Sequence, residues 1–282
     1  GCCPDEGERV SMSFASFTLA PITPFVGADI DGIDLGARPL TDVEHDEIIQ
    51  ALSIHGVLRF KRQSLTIDSL LKLGRQFGQL HIHTGISGMT DNPEVTEIYS
   101  DETSKHVNGE LWHSDLSCDE LPPMGSILHM RHVPSNGGGD TAFSSSYAAY
   151  ERLSGSMKRY LDGLSATHDG AVAFSRFDPN KRYPRAVQPV ITQHPVSGRK
   201  VLYVNRAFTS HINEVPREES DVVLRFLYDH SERPEWSMRF RWEDDMVAFW
   251  DNRCTQHLAI WDYFPERRLG HRVQIAGDRK PA

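Results

Sequence analysis

From residue 95 onward the chain is a succession of short β-prone runs, and that punctuation constrains the fold more than any other feature. Residues 95–99, 126–133, 141–144, 190–192, 201–205, 237–242, 246–250 and 272–276 are β-rich and separated by Gly, Pro or Asn signals. Met238, Phe240 and Trp242 alternate with Arg239 and Arg241, the period-two pattern of a strand that buries one face. Residues 17–35 read as short strands joined by tight turns. Helices are expected over 41–56, opened by a Thr41/Glu44 capping box, and over 66–77, ended by Gly78. Two more are expected over 146–161 and 216–231, the latter with Val222, Val223, Phe226 and Leu227 as its apolar stripe. The expected architecture is mainly β with flanking helices: a double-sheet jelly roll with helices outside one sheet. The mouth between two such sheets can hold a metal.

The chain has 282 residues and is 39% apolar, ample for a substantial core, and no linker composition divides it. We expect one domain over 12–282, preceded by a polar leader or expression remnant over 1–11. No run of about 18 apolar residues and no signal peptide is present, so a cytoplasmic protein without a membrane partner is expected. A formal net charge of -9 argues against nucleic-acid binding, which calls for a basic face. Cys2, Cys3, Cys118 and Cys254 form no C-x-x-C pair and read as reduced thiols. A homo-oligomer, dimer or tetramer, is the expected assembly.

The chemistry concentrates around Trp112-His113-Ser114-Asp115. In an extended segment His113 and Asp115 point to the same side and can converge on one metal ion. His257, in Trp250-Asp251-Asn252-Arg253-Cys254-Thr255-Gln256-His257, follows the run 246–250, which can lie beside that segment. Two imidazoles and one carboxylate make a facial triad suited to non-haem Fe(II). A lone histidine is more often structural than ligating, so His257 gains weight from Arg268 and Arg272 downstream. Four residues apart on a strand, their guanidinium forks face the same way, as two anions in one cavity would require.

Trp-His-x-Asp, then Gly138-Gly139-Asp140-Thr141, then Trp-Asp-Asn-Arg-x-Thr-Gln-His and Arg-Arg-x-x-His-Arg, in this order, resemble the taurine dioxygenase / 2,4-dichlorophenoxyacetate dioxygenase family of Fe(II)- and 2-oxoglutarate-dependent oxygenases. The resemblance runs from about Phe17 to Lys280 and implies a double-stranded β-helix, a cupin-like jelly roll. It implies His113, Asp115 and His257 as iron ligands, Thr141 and Arg268 on the distal carboxylate of 2-oxoglutarate, and Arg272 on an anionic group of the substrate. It further implies consumption of O2 and 2-oxoglutarate with release of succinate and CO2. Asp115 occupies the position that related halogenases leave to a small residue, so oxygen transfer is expected.

His83, Phe174, Phe208 and Arg272 match positions that line the substrate site of the taurine-oxidising members. Polar positions near taurine in those members correspond here to Ile86, Gly109 and Ala173, with Asn108 beside Gly109. Burying an ammonium without polar partners costs desolvation energy, so the expected substrate is a small anion with a more apolar body: a sulfonate, sulfate ester or carboxylate. Segments 84–92 and 171–185 are candidate lids. The alternatives are desaturation or another oxidation on the same scaffold, a non-catalytic metal-binding sensor, and a zinc hydrolase.

Overall fold

A computed structural model describes residues 14–83 and 85–282, so the leader, Cys2, Cys3 and Thr84 lie outside the described residues. The largest sheet has eight strands. Its order is Thr18–Pro21, Ala28–Asp31, Val57–Phe60, Met246–Asp251, Gly125–His132, Arg268–Ile275 and Leu80–His81, with Val95–Ser100 also paired along Arg268–Ile275. Ala28–Asp31 and Val57–Phe60 run parallel, and the other pairs are antiparallel. A smaller sheet places Thr141–Ser145 between Ser237–Phe240 and Thr255–Ala259.

Strand Met246–Asp251 shows why these sheets form layers, because it is buried along its whole length and alternates between two cores. Val247 and Phe249 face the helices Asp42–His55 and Ile67–Phe77, whose Ile48, Leu52, Leu70 and Leu73 complete that core. Met246, Ala248 and Trp250 face the smaller sheet and pack with Phe143, Met238, Phe240 and Trp242. Each large apolar side chain removed from water contributes about 1.5–3 kcal/mol, and both faces of the central strand collect it. The result is the expected jelly roll, with helices outside one sheet and the site between the two sheets.

The capping box at the first helix is present: Thr41 Oγ1 accepts from Glu44 N, and Thr41 N donates to the Glu44 carboxylate at 2.8 Å. Both Arg38 Nη atoms also donate to that carboxylate at 2.8 Å. The Arg38 bonds and the Thr41 backbone bond lower the Glu44 pKa to about 2. A depressed carboxylate stabilises the fold above its unfolded value and loses that contribution as pH falls toward the folded one. Glu44→Gln is therefore expected to cost about 1 kcal/mol at pH 7, with the difference shrinking from pH 4 toward about 2. Urea denaturation at pH 7 and pH 3 checks this, and an equal gap at both values contradicts it.

Three expectations need correction. Residues 146–161 are two helices, Ser146–Glu151 and Gly155–Leu161, because Ser154 caps a new helix by accepting from Met157 N. In helix Arg217–Ser231, Leu224 and Leu227 face the core, whereas Val222 (65%) and Phe226 (45%) are exposed. Strands Ser165–Asp169, Arg185–Pro189, Thr209–Ile212 and Thr255–Ala259 were not anticipated. Their mostly polar sequences lack an apolar alternation to reveal them.

Candidate metal centre and its pocket

His113 and His257 face each other across an isolated antiparallel bridge, each donating its backbone N–H to the other's carbonyl, at 3.0 and 2.8 Å. Direct backbone pairing sets the ring centroids 4.0 Å apart. His257 belongs to strand Thr255–Ala259, so the ligand rides on a strand of its own and does not merely follow one. Asp115 completes the triangle, its Oδ1 3.5 Å from His113 Nε2 and 3.8 Å from His257 Nε2. A Ser114 hydroxyl bond to the Asn252 carbonyl ties the two ligand-bearing segments together.

The surrounding bonds set the charge state and direction of each donor. His113 Nδ1 lies 2.7 Å from the Leu111 carbonyl, so Nδ1 carries the hydrogen and Nε2 offers its lone pair to the centre. Burial holds the His257 imidazole well below its usual pKa and hence neutral. Burial works against ionisation of Asp115, but the adjacent Arg272 guanidinium outweighs it and holds the carboxyl well below its usual range. Ser126 donates to Asp115 Oδ2 at 2.7 Å, leaving Oδ1 turned toward the imidazoles. Two imidazoles and a carboxylate, with three ligand atoms within 4.8 Å of one another, fit one divalent cation.

Thr141 and Arg268 lie in the same cavity, and the fold delivers each at the start of a strand. Arg268 is buried, and its Nε donates to the Gly139 carbonyl at 3.0 Å. No carboxylate pairs with its guanidinium among the described residues, and burial lowers its pKa. Gly139 has φ +83°, and a Cβ there would come 3.0 Å from Arg268 Cδ, so both conformation and space demand glycine. Arg272, four residues along, donates from Nη1 to Asp115 Oδ1 at 3.2 Å. His271 between them turns away, toward Glu97.

The substrate-side wall gathers His83, Phe174 and Phe208, together with Ile86 and Ala173. Neither aromatic stands on a strand: Phe174 ends the short helix Gly170–Phe174, and Phe208 lies in the turn before Thr209–Ile212. His83 lies just beyond strand Leu80–His81, and its Nδ1 accepts the N–H groups of Gly85 (2.9 Å) and Ile86 (3.0 Å). That fixes Nε2 as the protonated atom. Burial, aided by the Arg272 charge, lowers the His83 pKa to about 3. Gly109 has φ +87° and would set a Cβ 3.2 Å from His113 Cε1, so its identity answers a backbone demand as well as pocket polarity. Asn108 lines the cavity beside it.

Sequence reasoning missed Ser126 and treated Trp242 only as core. Ser126 sits directly opposite Trp250 and Gln274 in the large sheet, a placement no local spacing reveals. A second cluster, His194, Asp251 and Cys254, is structural. Arg253 grips both Asp251 oxygens and His194 Nε2 lies 3.0 Å from one of them, which leaves the carboxylate committed. Cys254 and Cys118 are free and buried, and burial pushes both thiols up.

Residues 18–274 match the family model described as taurine catabolism dioxygenase TauD, TfdA family. An alpha-ketoglutarate-dependent sulfonate dioxygenase of Saccharomyces cerevisiae is 34% identical over 280 residues, covering 92% of this chain and 66% of the relative. A Schizosaccharomyces pombe relative at the same identity is likewise spanned over 66% of its length. An alpha-ketoglutarate-dependent sulfate ester dioxygenase of Pseudomonas putida is 29% identical, with 92% and 89% covered. The solved structure of a taurine dioxygenase from Burkholderia xenovorans superposes with a TM-score of 0.83 at 33% identity, covering 94% of this chain and 91% of the other.

Proposed function

Because the chain belongs to the taurine catabolism dioxygenase TauD, TfdA family, we propose that it is an Fe(II)- and 2-oxoglutarate-dependent dioxygenase that hydroxylates a small anionic molecule. His113 Nε2, Asp115 Oδ1 and His257 Nε2 hold the iron, and Thr141 and Arg268 take the distal carboxylate of 2-oxoglutarate. Bound there, ferrous iron with 2-oxoglutarate and O2 supplies the oxidation of a substrate carbon, 2-oxoglutarate leaving as succinate and CO2. The observation that carries this reading is Arg268, a buried guanidinium with one backbone bond and, among the described residues, no carboxylate paired with it. A buried cation left without a counter-charge is costly, and a ligand carboxylate relieves that cost.

The chain's own groups do the remaining work. Arg272 and the His83 Nε2–H receive the anionic group of the substrate, while Phe174 and Phe208 close an apolar wall that keeps water from the reacting carbon. A zinc hydrolase would need a free general base. Glu110, the other carboxylate lining the cavity, is engaged by the Val107 N–H and by Arg176. A non-catalytic sensor gives the unpaired Arg268 no purpose. Adding Fe(II) and then 2-oxoglutarate without oxygen is expected to produce the visible band of the metal chelate, and its absence defeats the assignment.

The wall also favours a sulfonate, sulfate ester or carboxylate with a more apolar body than taurine. Ile86 and Ala173 offer an ammonium no hydrogen-bond acceptor in their side chains. In a screen scored by succinate formation, the best alkyl or aryl substrate is expected to exceed taurine by about 10-fold or more in kcat/KM. Comparable efficiency with taurine would sink this preference. Product analysis separates hydroxylation, with collapse to sulfite, sulfate or an alcohol, from desaturation. No described helix is long and apolar enough to cross a membrane. We take 12–282 as one domain and the assembly as a cytoplasmic homo-oligomer, dimer or tetramer, which light scattering checks for size.

A further inference from the structure

Trp242 hydrogen-bonds one side chain assigned to the distal carboxylate and lies beside the other. Its Nε1–H donates to Thr141 Oγ1 at 3.0 Å, and the Arg268 guanidinium carbon lies 6.0 Å from the centroid of its ring. All three line the same cavity. An indole N–H can only donate, whereas a hydroxyl has one hydrogen and two lone pairs. With a lone pair of Thr141 committed to the indole, the hydroxyl hydrogen is left for an acceptor elsewhere. The strand partners of Thr141 are Phe240 and Ala259, and the described residues provide no other acceptor for its hydroxyl. The ring also lies near the guanidinium, whose Nε is already fixed by the Gly139 carbonyl.

Trp242 is itself well held. It is buried just beyond strand Ser237–Phe240, with its ring 4.5 Å from that of Phe240. We infer that Trp242 is a positioning residue for 2-oxoglutarate: its N–H makes Thr141 a donor toward the cavity, and its ring restrains Arg268 toward the same carboxylate. This rests on the reading that 2-oxoglutarate binds at Thr141 and Arg268. Preorganised donors bind their ligand without first losing conformational freedom, so the effect falls on affinity for the end of the ligand far from the metal.

The test is anaerobic titration of the Fe(II)-loaded protein with two probes, 2-oxoglutarate and oxalate, followed by calorimetry and by the visible band. Oxalate can occupy the metal but has no distal carboxylate. Trp242→Phe is expected to weaken 2-oxoglutarate about 5- to 10-fold and leave oxalate and Fe(II) affinity unchanged. In a Thr141→Val background the same substitution is expected to cost less than twofold, because the coupled partner is already gone. Unchanged 2-oxoglutarate affinity, equal weakening of both probes, or full additivity with Thr141→Val overturns the inference. If wild type binds oxalate but 2-oxoglutarate no better, the functional reading itself fails and this inference with it. Should Trp242→Phe not fold, the intact Zn(II)-loaded chain answers through its five tryptophan indole N–H resonances. One is expected to shift with 2-oxoglutarate and not with oxalate, and the lack of any such difference overturns the inference.

Discussion

Arg268→Leu is expected to weaken 2-oxoglutarate binding by about 30-fold or more while Fe(II) still binds at His113, Asp115 and His257. A charge-assisted bond between a desolvated guanidinium and a carboxylate contributes about 2–5 kcal/mol when its partner is removed, and each 1.4 kcal/mol is about tenfold in affinity. The same substitution is expected to leave the ligand-free fold as stable or to stabilise it by about 1 kcal/mol. It removes a buried cation that has a single backbone hydrogen bond and, among the described residues, no carboxylate in direct contact. Opposite signs on binding and stability separate a ligand-directed arginine from a structural one. Calorimetric titration and thermal unfolding of the ligand-free protein read the two quantities. If the unliganded protein loses several kcal/mol and 2-oxoglutarate affinity holds, Arg268 is structural.

His257→Ala is expected to lower Fe(II) affinity by more than about a hundredfold and to abolish the visible chelate band. Loss of a supporting partner around a metal already costs about 10- to 100-fold, and loss of a direct ligand costs more. The bridge between His113 and His257 is made by backbone atoms, so alanine keeps it and the experiment isolates the ring. The ring also contacts Phe143, at 5.7 Å between centroids, and Trp250, at 4.9 Å. A stability loss of about 1–3 kcal/mol should accompany the change. Survival of the band in this variant would remove His257 from the metal centre.

The parts of the site legible in the sequence were those with a local signature. His113 and Asp115 share one short segment, and Arg268 and Arg272 share one strand, so spacing alone could orient them. Thr141 was reached only through the family resemblance. Ser126 and Trp242 stayed hidden because their contacts join separate segments of the chain through tertiary packing, Ser126 to Asp115 and Trp242 to Thr141. The same limit explains the fold. Met246–Asp251 announced itself by an apolar run, whereas Thr255–Ala259, which carries His257, has one strongly apolar residue among its five and no signature. In helix Arg217–Ser231 the apolar residues extend beyond one face, and periodicity could not say that Val222 and Phe226 lie outside.

The bridge between His113 and His257 makes metal binding a reporter of global folding. Its two halves come from distant parts of the chain, so the unfolded polypeptide can offer local pairs such as His113 and Asp115 but not the complete triad. Metal then favours the native state, and the melting temperature should rise with free Fe(II), the added stability reaching at most about 2.7 kcal/mol at a hundred times the dissociation constant. The same triad that would hold the metal for chemistry would therefore also tie the two ends of the sheet region together in the folded chain.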